Sequence, residues 1–543
     1  MVGTDKTRTT PPQAVVPSAA PSVTDHEAHG QAASGTVISS GQSVKEGIML
    51  EPMTHLDGSE QGDGAFKKDL GWIGMLAAGY NMTNCWLVVA ATMTVSLPYG
   101  PMTTVWGVII ISPIYLCIGL TLAELIAAYP TTGGQYHWAS ILAPPRIRKA
   151  VSYLTGFTSW FSWMTLAASS AGAISLCSNA LIFNANPDYQ PKAWQEFLFY
   201  EGTLIITLCL NLFGKKILSP FYSAAFFLSL AAFIVFTVTT LAMQKQRQDS
   251  ATIWTSYTEV SGWSPGVQII IALASPIIAF CPLDGAVHLV EEVNDASKVV
   301  PRTVLAALAI AFVTLLTFVL AMLYCVTDFD AVLATPSGFP LFEIWSQATR
   351  TTAVPIVFTV VCIILLPVGT TVTCQVASMM TWSLAKDGGL PFPEHLAKVH
   401  AKLNAPVWSL LLNFIIMFLI GCLYLFSTLA YNSIIGVASI LQQLTFFVPT
   451  VLLIYHRRSD NILPPTRSFQ LPSWLGWICN IVTVLFTFIT TSFMLLPATA
   501  NPGVNSMNYA CVVLAGVFLL AFINWLVFAR RRYNGPTSIK FHH

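Results

Sequence analysis

Long stretches without Asp, Glu, Lys or Arg alternate with short charged segments along most of this 543-residue chain. A membrane-crossing helix needs about 20 mostly apolar residues, and charges collect in the loops. By that measure the stretches predict twelve spans. Three of them are long enough for two helices each, namely 73–123, 403–456 and 468–529. Six others predict one helix each: 151–187, 202–214, 217–244, 260–283, 303–327 and 351–385.

The sixth predicted span contains an interruption. Its apolar run meets Cys281, Pro282, Asp284 and Gly285 before it resumes toward Val290. Proline lacks the backbone donor and clashes with the preceding turn, and glycine relaxes the backbone. A helix in lipid tolerates such a break only where protein or a wet cavity receives the freed backbone groups. A buried aspartate at this depth is costly, so it marks a candidate functional site.

The first predicted span has an interruption at the corresponding place. Gly79 is followed by Asn81, Thr83 and Asn84 within an otherwise apolar segment. Such side chains compete with helical hydrogen bonds and can satisfy freed backbone groups. Transporters are often built from two inverted repeats whose first helices are broken at mid-membrane. The pattern therefore indicates a transporter with one break in each repeat.

Composition agrees with a membrane protein. The chain is 54% hydrophobic and only 9% charged, whereas soluble proteins carry about 25% charged residues. A formal net charge of +1, with no basic stripe, gives no indication of nucleic-acid binding. We therefore predict an all-α membrane protein whose partners are the lipid bilayer and a small solute.

The cysteines and the other reactive residues indicate neither an enzyme nor a cofactor. All eleven cysteines lie in or at the edge of apolar runs, and no C-x-x-C occurs. They are predicted to be small buried hydrophobic residues rather than disulfides or zinc ligands. No nucleophile–base pair, metal-binding cluster or phosphate loop is recognisable, so we expect no catalysis, metal or cofactor.

Basic residues set the predicted orientation. Of the 26 Lys and Arg residues, three lie in the first 65 residues and nineteen on the membrane side shared by both termini of a twelve-span chain. That side is called the basic side below. The opposite side has only Lys192, Lys245, Arg247 and Arg350. Basic residues favour the cytoplasm, so both termini are predicted to be cytoplasmic.

Three regions are predicted from these patterns. Residues 1–65 are rich in Thr, Ser, Pro, Gly and Gln without hydrophobic periodicity, which is typical of a disordered tail. Residues 66–532 form the transporter domain of twelve helices. Residues 533–543 are predicted to be a short C-terminal tail.

Several motifs resemble the amino acid–polyamine–organocation superfamily, and within it the fungal amino acid/choline transporters. The clearest are the loop Tyr-Pro-x-x-Gly-Gly-Gln-Tyr at 129–136 and the spacing of Asp284, His288 and Glu292. Other matching segments are Asn84–Cys85–Trp86, Leu122–Ala123–Glu124 and 385–391. The segment Cys281-x-Leu-Asp284 and Met507–Asn508–Tyr509 are more similar to choline carriers than to GABA carriers. The similarity covers about residues 69–532.

The resemblance implies a fold and a mode of action. It implies a five-plus-five inverted-repeat (leucine-transporter-like) fold with broken helices 1 and 6 and two further helices. It also implies uptake across the plasma membrane driven by the proton gradient, with sodium as the alternative coupling ion. The expected substrate is a choline-like amine or an amino acid such as GABA.

Candidate substrate-binding residues lie at the two breaks. Exposed backbone at a half-helix end can hold an ion, and aromatic faces attract a quaternary amine. Packing and interfacial roles are the alternative for every aromatic residue here. The predicted substrate-binding residues are Tyr80, Asn81, Thr83, Asn84, Trp163, Phe280, Cys281 and Asp284.

Glu124, His288 and Thr371 are predicted to act in coupling or gating. Asp284 either pairs with an ammonium group, takes the coupling proton, or caps the helix after the break. His288 lies one turn later on the same face, where it either relays protons or packs as a neutral residue. For Glu124 the structural alternative is anchoring the loop 129–138, and for Thr371 it is a hydrogen bond to the preceding turn. Glu291 and Glu292 are expected to pair with Lys298 or Arg302.

The function predicted from sequence is secondary active transport of a small nitrogenous solute by alternating access. Two alternatives stay open. One is a carrier for a nitrogenous secondary metabolite of a biosynthetic pathway. The other is a nutrient sensor that kept the carrier fold without transporting.

Overall fold

The protein was analysed as a computed structural model that describes residues 66, 68–504 and 507–536. The predicted N-terminal tail, residues 1–65, lies outside the described residues. All regular structure in the described part is helical, apart from two isolated bridges, Leu70 with Val293 and His400 with Ala405.

The first half of the chain contains ten α-helices and two 3₁₀ segments, Leu97–Tyr99 and Cys281–Glu292. The α-helices are α1 (Trp72–Thr83), α2 (Cys85–Ser96), α3 (Pro101–Ala128), α4 (Gln135–Leu142), α5 (Arg148–Ala185), α6 (Ala193–Phe213), α7 (Lys215–Met243), α8 (Ser250–Thr255), α9 (Pro265–Ala272) and α10 (Ala274–Phe280).

The second half continues in the same way and includes a π-helical turn at Trp525–Ala529, just before its last helix. Its α-helices are α11 (Ala296–Cys325), α12 (Phe329–Leu333), α13 (Pro340–Thr349), α14 (Ala353–Lys386), α15 (Pro393–Leu396), α16 (Val407–Phe426), α17 (Thr428–Tyr455), α18 (Ser473–Met494), α19 (Ala510–Asn524) and α20 (Arg530–Arg532).

Eleven helical segments in the described part are long and apolar enough to cross a membrane, and these include Pro265–Glu292 and Ala510–Arg532 taken as continuous segments. The protein is thus a multi-pass, all-helical membrane protein. The sequence predicts one more span, and its residues form α1 and α2. Each of these helices has 12 residues, which is too short to cross a bilayer alone.

Two long helices organise the interior. α5 has 38 residues and packs along α14 and α17, while α3 packs along α11 and α18. The face that α5 turns inward is rich in small residues, including Gly156, Ala167, Ala168 and Ala171. Small residues let helix backbones approach closely in a membrane, where hydrophobicity does not drive association. α1 and the segment Cys281–Glu292 lie within this assembly and contact each other.

Candidate substrate site at the two interrupted spans

The first break is a single residue, Asn84, between α1 and α2. Its backbone has φ 25° and ψ 54°, outside the right-handed helical region, where asparagine is among the residues that tolerate a positive φ. Its amide still donates to the carbonyl of Tyr80, at 2.6 Å, and its Oδ1 accepts a hydrogen bond from Ser229 Oγ at 3.1 Å. A side chain on α7 therefore supports the break.

The second break begins where α10 ends at Phe280. The chain continues as a 3₁₀ segment in which Pro282 has φ −77° and ψ 20°, outside helical geometry. Proline cannot supply the backbone donor that would continue the helix. Gly285 follows, and a Cβ at this position would collide with the side chain of Met82 on α1. The absence of a side chain at Gly285 thus leaves room for Met82, so the two broken spans lie in close contact.

A hydrogen bond joins the two breaks. Cys85 Sγ, the first residue after Asn84, donates to the carbonyl oxygen of Ala279 at 3.2 Å. On the other side of the breaks, Gly79 of α1 lies against Ala286. The two interruptions predicted from sequence are thus adjacent in space.

The polar side chains at the first break form hydrogen bonds with other groups of this protein. Asn81 Nδ2 donates to the carbonyl of Tyr222 at 2.9 Å. Thr83 Oγ1 donates to the carbonyl of Tyr80 at 3.1 Å. The Tyr80 hydroxyl lies 3.5 Å from Ser229 Oγ, and its ring packs edge-on against Phe226. The amide nitrogen of Asn81 and the hydroxyl of Thr83 are therefore already used within the protein.

The second break carries a buried network around Asp284. Its Oδ2 accepts from Gln135 Nε2 at 2.5 Å and lies 3.2 Å from His288 Nε2. The other ring nitrogen of His288 lies 2.7 Å from the carbonyl of Thr132. The interpretation of Asp284 as a helix cap is wrong. Its hydrogen-bond partners are the side chains of Gln135 on α4 and of His288 on the next turn, not backbone amides.

Three polar atoms in or beside this network have no hydrogen-bond partner in the described part of the chain. They are Asp284 Oδ1, Gln135 Oε1 and Trp163 Nε1, all on residues that are fully buried. The Trp163 ring packs edge-on against His288, with centroids 5.6 Å apart. A buried polar atom without a partner costs free energy, so these two acceptors and one donor are the candidate atoms for contact with a polar ligand.

Phe280 and Cys281 lie at the junction where α10 ends, and their side chains contain no unpaired nitrogen or oxygen atom. Phe280 stacks on Tyr115 with ring centroids 5.4 Å apart, and it is 1% exposed. The Tyr115 hydroxyl donates to the carbonyl of Ile277, the last-turn carbonyl of α10. Tyr115, which the sequence did not single out, therefore supports the break from α3.

A family model described as amino acid permease matches residues 70–518. The chain belongs to the amino acid permease family. The permease is 29% identical over 496 residues to the choline transporter of Saccharomyces cerevisiae, covering 89% of this chain and 86% of that protein. It is 30% identical over 466 residues to a swainsonine transporter of Arthroderma benhamiae, with 84% and 90% covered.

A more distant relative and solved structures agree. The GABA-specific permease of S. cerevisiae is 24% identical over 465 residues, covering 83% of this chain and 80% of that protein. A crystal structure of the Eremococcus coleocola manganese transporter matches with a TM-score of 0.54 and 14% identity, covering 84% of the permease and 93% of that chain. The predicted family is confirmed, and its relatives and structural neighbours are transporters rather than enzymes.

Glu124 of the permease has different partners from those expected. Its two oxygens lie 2.5 Å from Arg458 Nη2 and 2.7 Å from Arg467 Nη2, and Oε1 also accepts from the amide of Leu471. The expected anchoring of the loop 129–138 by Glu124 is wrong. The carboxylate instead holds the loop between α17 and α18, on the basic side.

Glu292 also differs from the expectation. It pairs with Lys215 Nζ at 2.5 Å and accepts two hydrogen bonds from Gln375 Nε2, at 2.9 and 3.0 Å. Glu291 is exposed. The expected pairing of Glu292 with Lys298 or Arg302 is wrong. Glu292 pairs instead with Lys215 of α7, because the 3₁₀ geometry turns Glu292 inward.

Thr371 of the permease uses its hydroxyl locally. Its Oγ1 donates to the carbonyl of Pro367 at 2.7 Å, and its own carbonyl accepts from Asn211 Nδ2 at 3.0 Å. Thr370 and Thr373 make the same bond to the preceding turn. The structural alternative stated for these hydroxyls agrees with these contacts, while a role in coupling stays a prediction.

A second polar cluster on the basic side joins α4 to the end of α14. Asp387 Oδ2 lies 2.8 Å from His137 Nε2 and accepts from the Tyr136 hydroxyl at 2.9 Å. Burial and the neighbouring carboxylate of Asp387 raise the pKa of Tyr136 well above its ordinary value, so the hydroxyl stays a donor. Tyr136 ends the loop motif and His137 follows it. Their common partner, Asp387, lies 251 and 250 residues further along the chain.

The C-terminal segment joins this cluster. Tyr533, the first residue of the predicted tail, is fully buried, and its hydroxyl lies 2.6 Å from Ser152 Oγ. Gly388 has φ 77°, and a Cβ there would lie 2.7 Å from the carbonyl oxygen of Arg532. The described residues after Arg532 thus pack into the basic side of the permease.

Proposed function

We propose that this permease is a secondary active transporter of a small nitrogenous solute that works by alternating access around the two breaks. The observation that carries the proposal is the contact between the breaks, made by Cys85 and Ala279, in a chain of the amino acid permease family. Broken helices that meet leave backbone dipoles free to bind a solute, and the repeats rock around such a site. In this proposal α1 and α2 together form the first of twelve spans, and the first ten spans make up the two repeats of five.

The chemistry of the site favours a solute with an amino group. Asp284 Oδ1 and Gln135 Oε1 are acceptors without partners, and an ammonium group supplies the N–H donors they need. The indole N–H of Trp163 is a donor for the oxygen of an amino acid or an alcohol. A primary amine uses both acceptors, whereas the quaternary nitrogen of choline has no N–H and relies on aromatic faces and on the charge of Asp284.

A proton is the proposed coupling ion, with sodium as the alternative. Asp284 and His288 form a fully buried pair, and histidine changes charge within the physiological pH range. In this proposal the pair holds the coupling proton that enters together with the solute.

The proposed location is the plasma membrane with both termini in the cytoplasm. The nineteen-to-four distribution of Lys and Arg supports this orientation. The basic side would then be the cytoplasmic side. The networks around Glu124, Glu292 and Asp387 would close the pathway there, and they must rearrange before a solute leaves in that direction.

Uptake by the purified protein in liposomes tests the proposal. Labelled choline, GABA and a basic amino acid are offered with and without an imposed pH gradient, and with sodium replaced by potassium. We expect saturable uptake of at least one solute, increased by an inward proton gradient and unaffected by removal of sodium. Failure to transport any nitrogenous solute would contradict the proposal and would favour the sensor alternative.

A nitrogenous secondary metabolite is the second candidate substrate class. It is supported by the 30% identity to a protein named swainsonine transporter, a value similar to that for the choline transporter. Competition separates the two classes. A bicyclic amine alkaloid that displaces labelled choline at lower concentration than unlabelled choline does would favour the second class, and the reverse order would favour the first.

A further inference from the structure

A carboxyl group of α6 lies inside the membrane region and outside the site described above. Glu201 is 6% exposed, and neither of its carboxyl oxygens has a hydrogen-bond partner among the residues that the structure describes. It lies eight residues after Ala193, where α6 begins, which corresponds to about 12 Å along the helix. An ionisable residue at such a depth is rare unless it has a function.

The surroundings of Glu201 exclude a compensating positive charge among the described residues. α16 approaches so closely that a Cβ on Gly421 would lie 2.6 Å from Glu201 Oε1. The hydroxyl of the adjacent Tyr200 is used, because it donates to the carbonyl of Met417 at 2.8 Å. No ion pair identified in the described ranges includes Glu201.

Tyr200, which precedes Glu201, interacts electrostatically with Glu201 and with Tyr431 on α17, Cys374 on α14 and Cys422 on α16. Tyr424 on α16 and Tyr431 interact in turn with Glu196 on α6. None of these side chains carries a positive charge. α5 contributes alanines and Asn179. Burial without a positive partner favours the neutral form of a carboxyl group.

A small cavity lies about one turn further along the same side of α6. Leu204 and Leu208 of α6 line it together with Met417 and Asn413 of α16. Asn413 is 1% exposed, and its Nδ2 has no partner in the chain. The cavity is about the size of one water molecule, and a water there needs polar partners such as this amide. Leu204, which lines the cavity, follows Glu201 by three residues, or about one turn of α6.

We propose that Glu201 is a proton-binding site of this transporter, separate from the pair formed by Asp284 and His288. In the arrangement described here the carboxyl is protonated. It releases its proton to water, forming hydronium, only when water reaches it between α6 and α16, and it takes a proton back from hydronium before the two helices close and exclude water again. This inference adds to the proposed transport function a second place where a coupling proton is held.

Infrared spectroscopy of the purified protein tests the protonation state without any transport. At neutral pH, the difference spectrum of wild type minus Glu201→Gln is expected to contain the C=O stretching band of a carboxylic acid. Glu196→Gln is the matched control, because Glu196 lies on the same helix, is partly exposed and accepts a hydrogen bond from Asn179 at 3.1 Å. The control is expected to retain the Glu201 band in full.

Two results would overturn the inference. One is a carboxylate band in place of the acid band, which would mean that Glu201 is ionised or holds a metal cation. The other is an acid band that persists unchanged in Glu201→Gln. If that variant does not fold, Glu201→Asp replaces it, and the acid band is then expected to shift in frequency.

Uptake measured at mildly acidic and mildly alkaline pH connects the site to transport. Wild-type uptake is expected to decrease at alkaline pH, and Glu201→Gln, which is permanently neutral, is expected to lose most of that decrease. An unchanged pH profile in Glu201→Gln, with the acid band present in wild type, would exclude a role in coupling. If the wild type transports no solute, the transport proposal fails, and the infrared result still decides the state of Glu201.

Discussion

The side-chain amide of Gln135 donates a 2.5 Å hydrogen bond to the carboxylate of Asp284. Gln135 begins the short helix α4, and Asp284 belongs to the second break, so this contact attaches a loop between two spans to the middle of a third. The position of the Asp284 carboxylate in the candidate site therefore depends on α4, which lies on the basic side. The same contact leaves the second oxygen of Asp284 without a partner.

Replacing Asp284 by Asn tests whether the carboxylate of Asp284, with its unpaired Oδ1, contributes to binding of the solute. The variant keeps the shape and an acceptor for Gln135 but loses the negative charge that attracts an amine. We expect uptake to fall at least about tenfold, corresponding to about 1.4 kcal/mol, while the amount of protein in the membrane is unchanged. Glu291→Gln, on the same segment but exposed, serves as the control with wild-type uptake. Normal uptake by Asp284→Asn would remove Asp284 from the site.

Gly285→Ala tests the contact between the breaks. The new methyl group would collide with Met82 and lie 3.0 Å from Trp163 Cη2. Overpacking of this kind costs about 1–3 kcal/mol, so we expect a lower thermal unfolding midpoint and reduced uptake. Gly436→Ala in α17 is the control, because a Cβ there meets nothing within 4 Å. Equal effects of the two substitutions would contradict the close approach.

Tyr80 is expected to act through its ring. Its hydroxyl lies 3.5 Å from Ser229 Oγ, which is too long for a strong hydrogen bond. Tyr80→Phe should therefore retain most uptake, whereas Tyr80→Ala should lower the affinity for a cationic solute, since a cation–π contact contributes about 0.5–2 kcal/mol. Concentration-dependent uptake in liposomes measures both. Similar losses in the two variants would show that the hydroxyl matters.

Glu124→Gln should destabilise the protein. Arg458 and Arg467 have side chains only 4% and 10% exposed, so the substitution leaves two buried cations without their counter-charge. Loss of one partner from a buried ion pair costs about 3–5 kcal/mol. The control is Glu394→Gln, whose side chain is 58% exposed and which should change stability by less than about 0.5 kcal/mol. Thermal unfolding in detergent compares them.

Tyr533→Ala tests whether the segment after α20 belongs to the folded domain. Removal of a fully buried aromatic side chain costs about 3–5 kcal/mol. Tyr533→Phe removes only the hydroxyl contact with Ser152 and should cost about 0.5–1.5 kcal/mol. The ratio of these two losses, measured by thermal unfolding, distinguishes packing from the hydrogen bond. A stability unchanged by Tyr533→Ala would show that the docked segment contributes nothing.

Local sequence was enough to predict the helical spans and both breaks. Charge-free stretches of sufficient length must be helices in a membrane, because lipid cannot satisfy the backbone. Pro282 and Gly285 interrupt one span, and Asn84 interrupts another, through properties of the residues themselves. The spacing of Asp284 and His288 likewise predicted that they share a face, since residues four apart on a helix are neighbours.

Tertiary structure decided which partner each polar group has. Glu124 pairs with Arg458 and Arg467, Glu292 pairs with Lys215, and Asp284 bonds to Gln135 rather than capping a helix. These partners are separated by 77 to 343 residues in the chain. A charged side chain in a membrane must find a counterpart, and the sequence states that requirement. Which counterpart it meets depends on how the helices pack, and no local pattern contains that information.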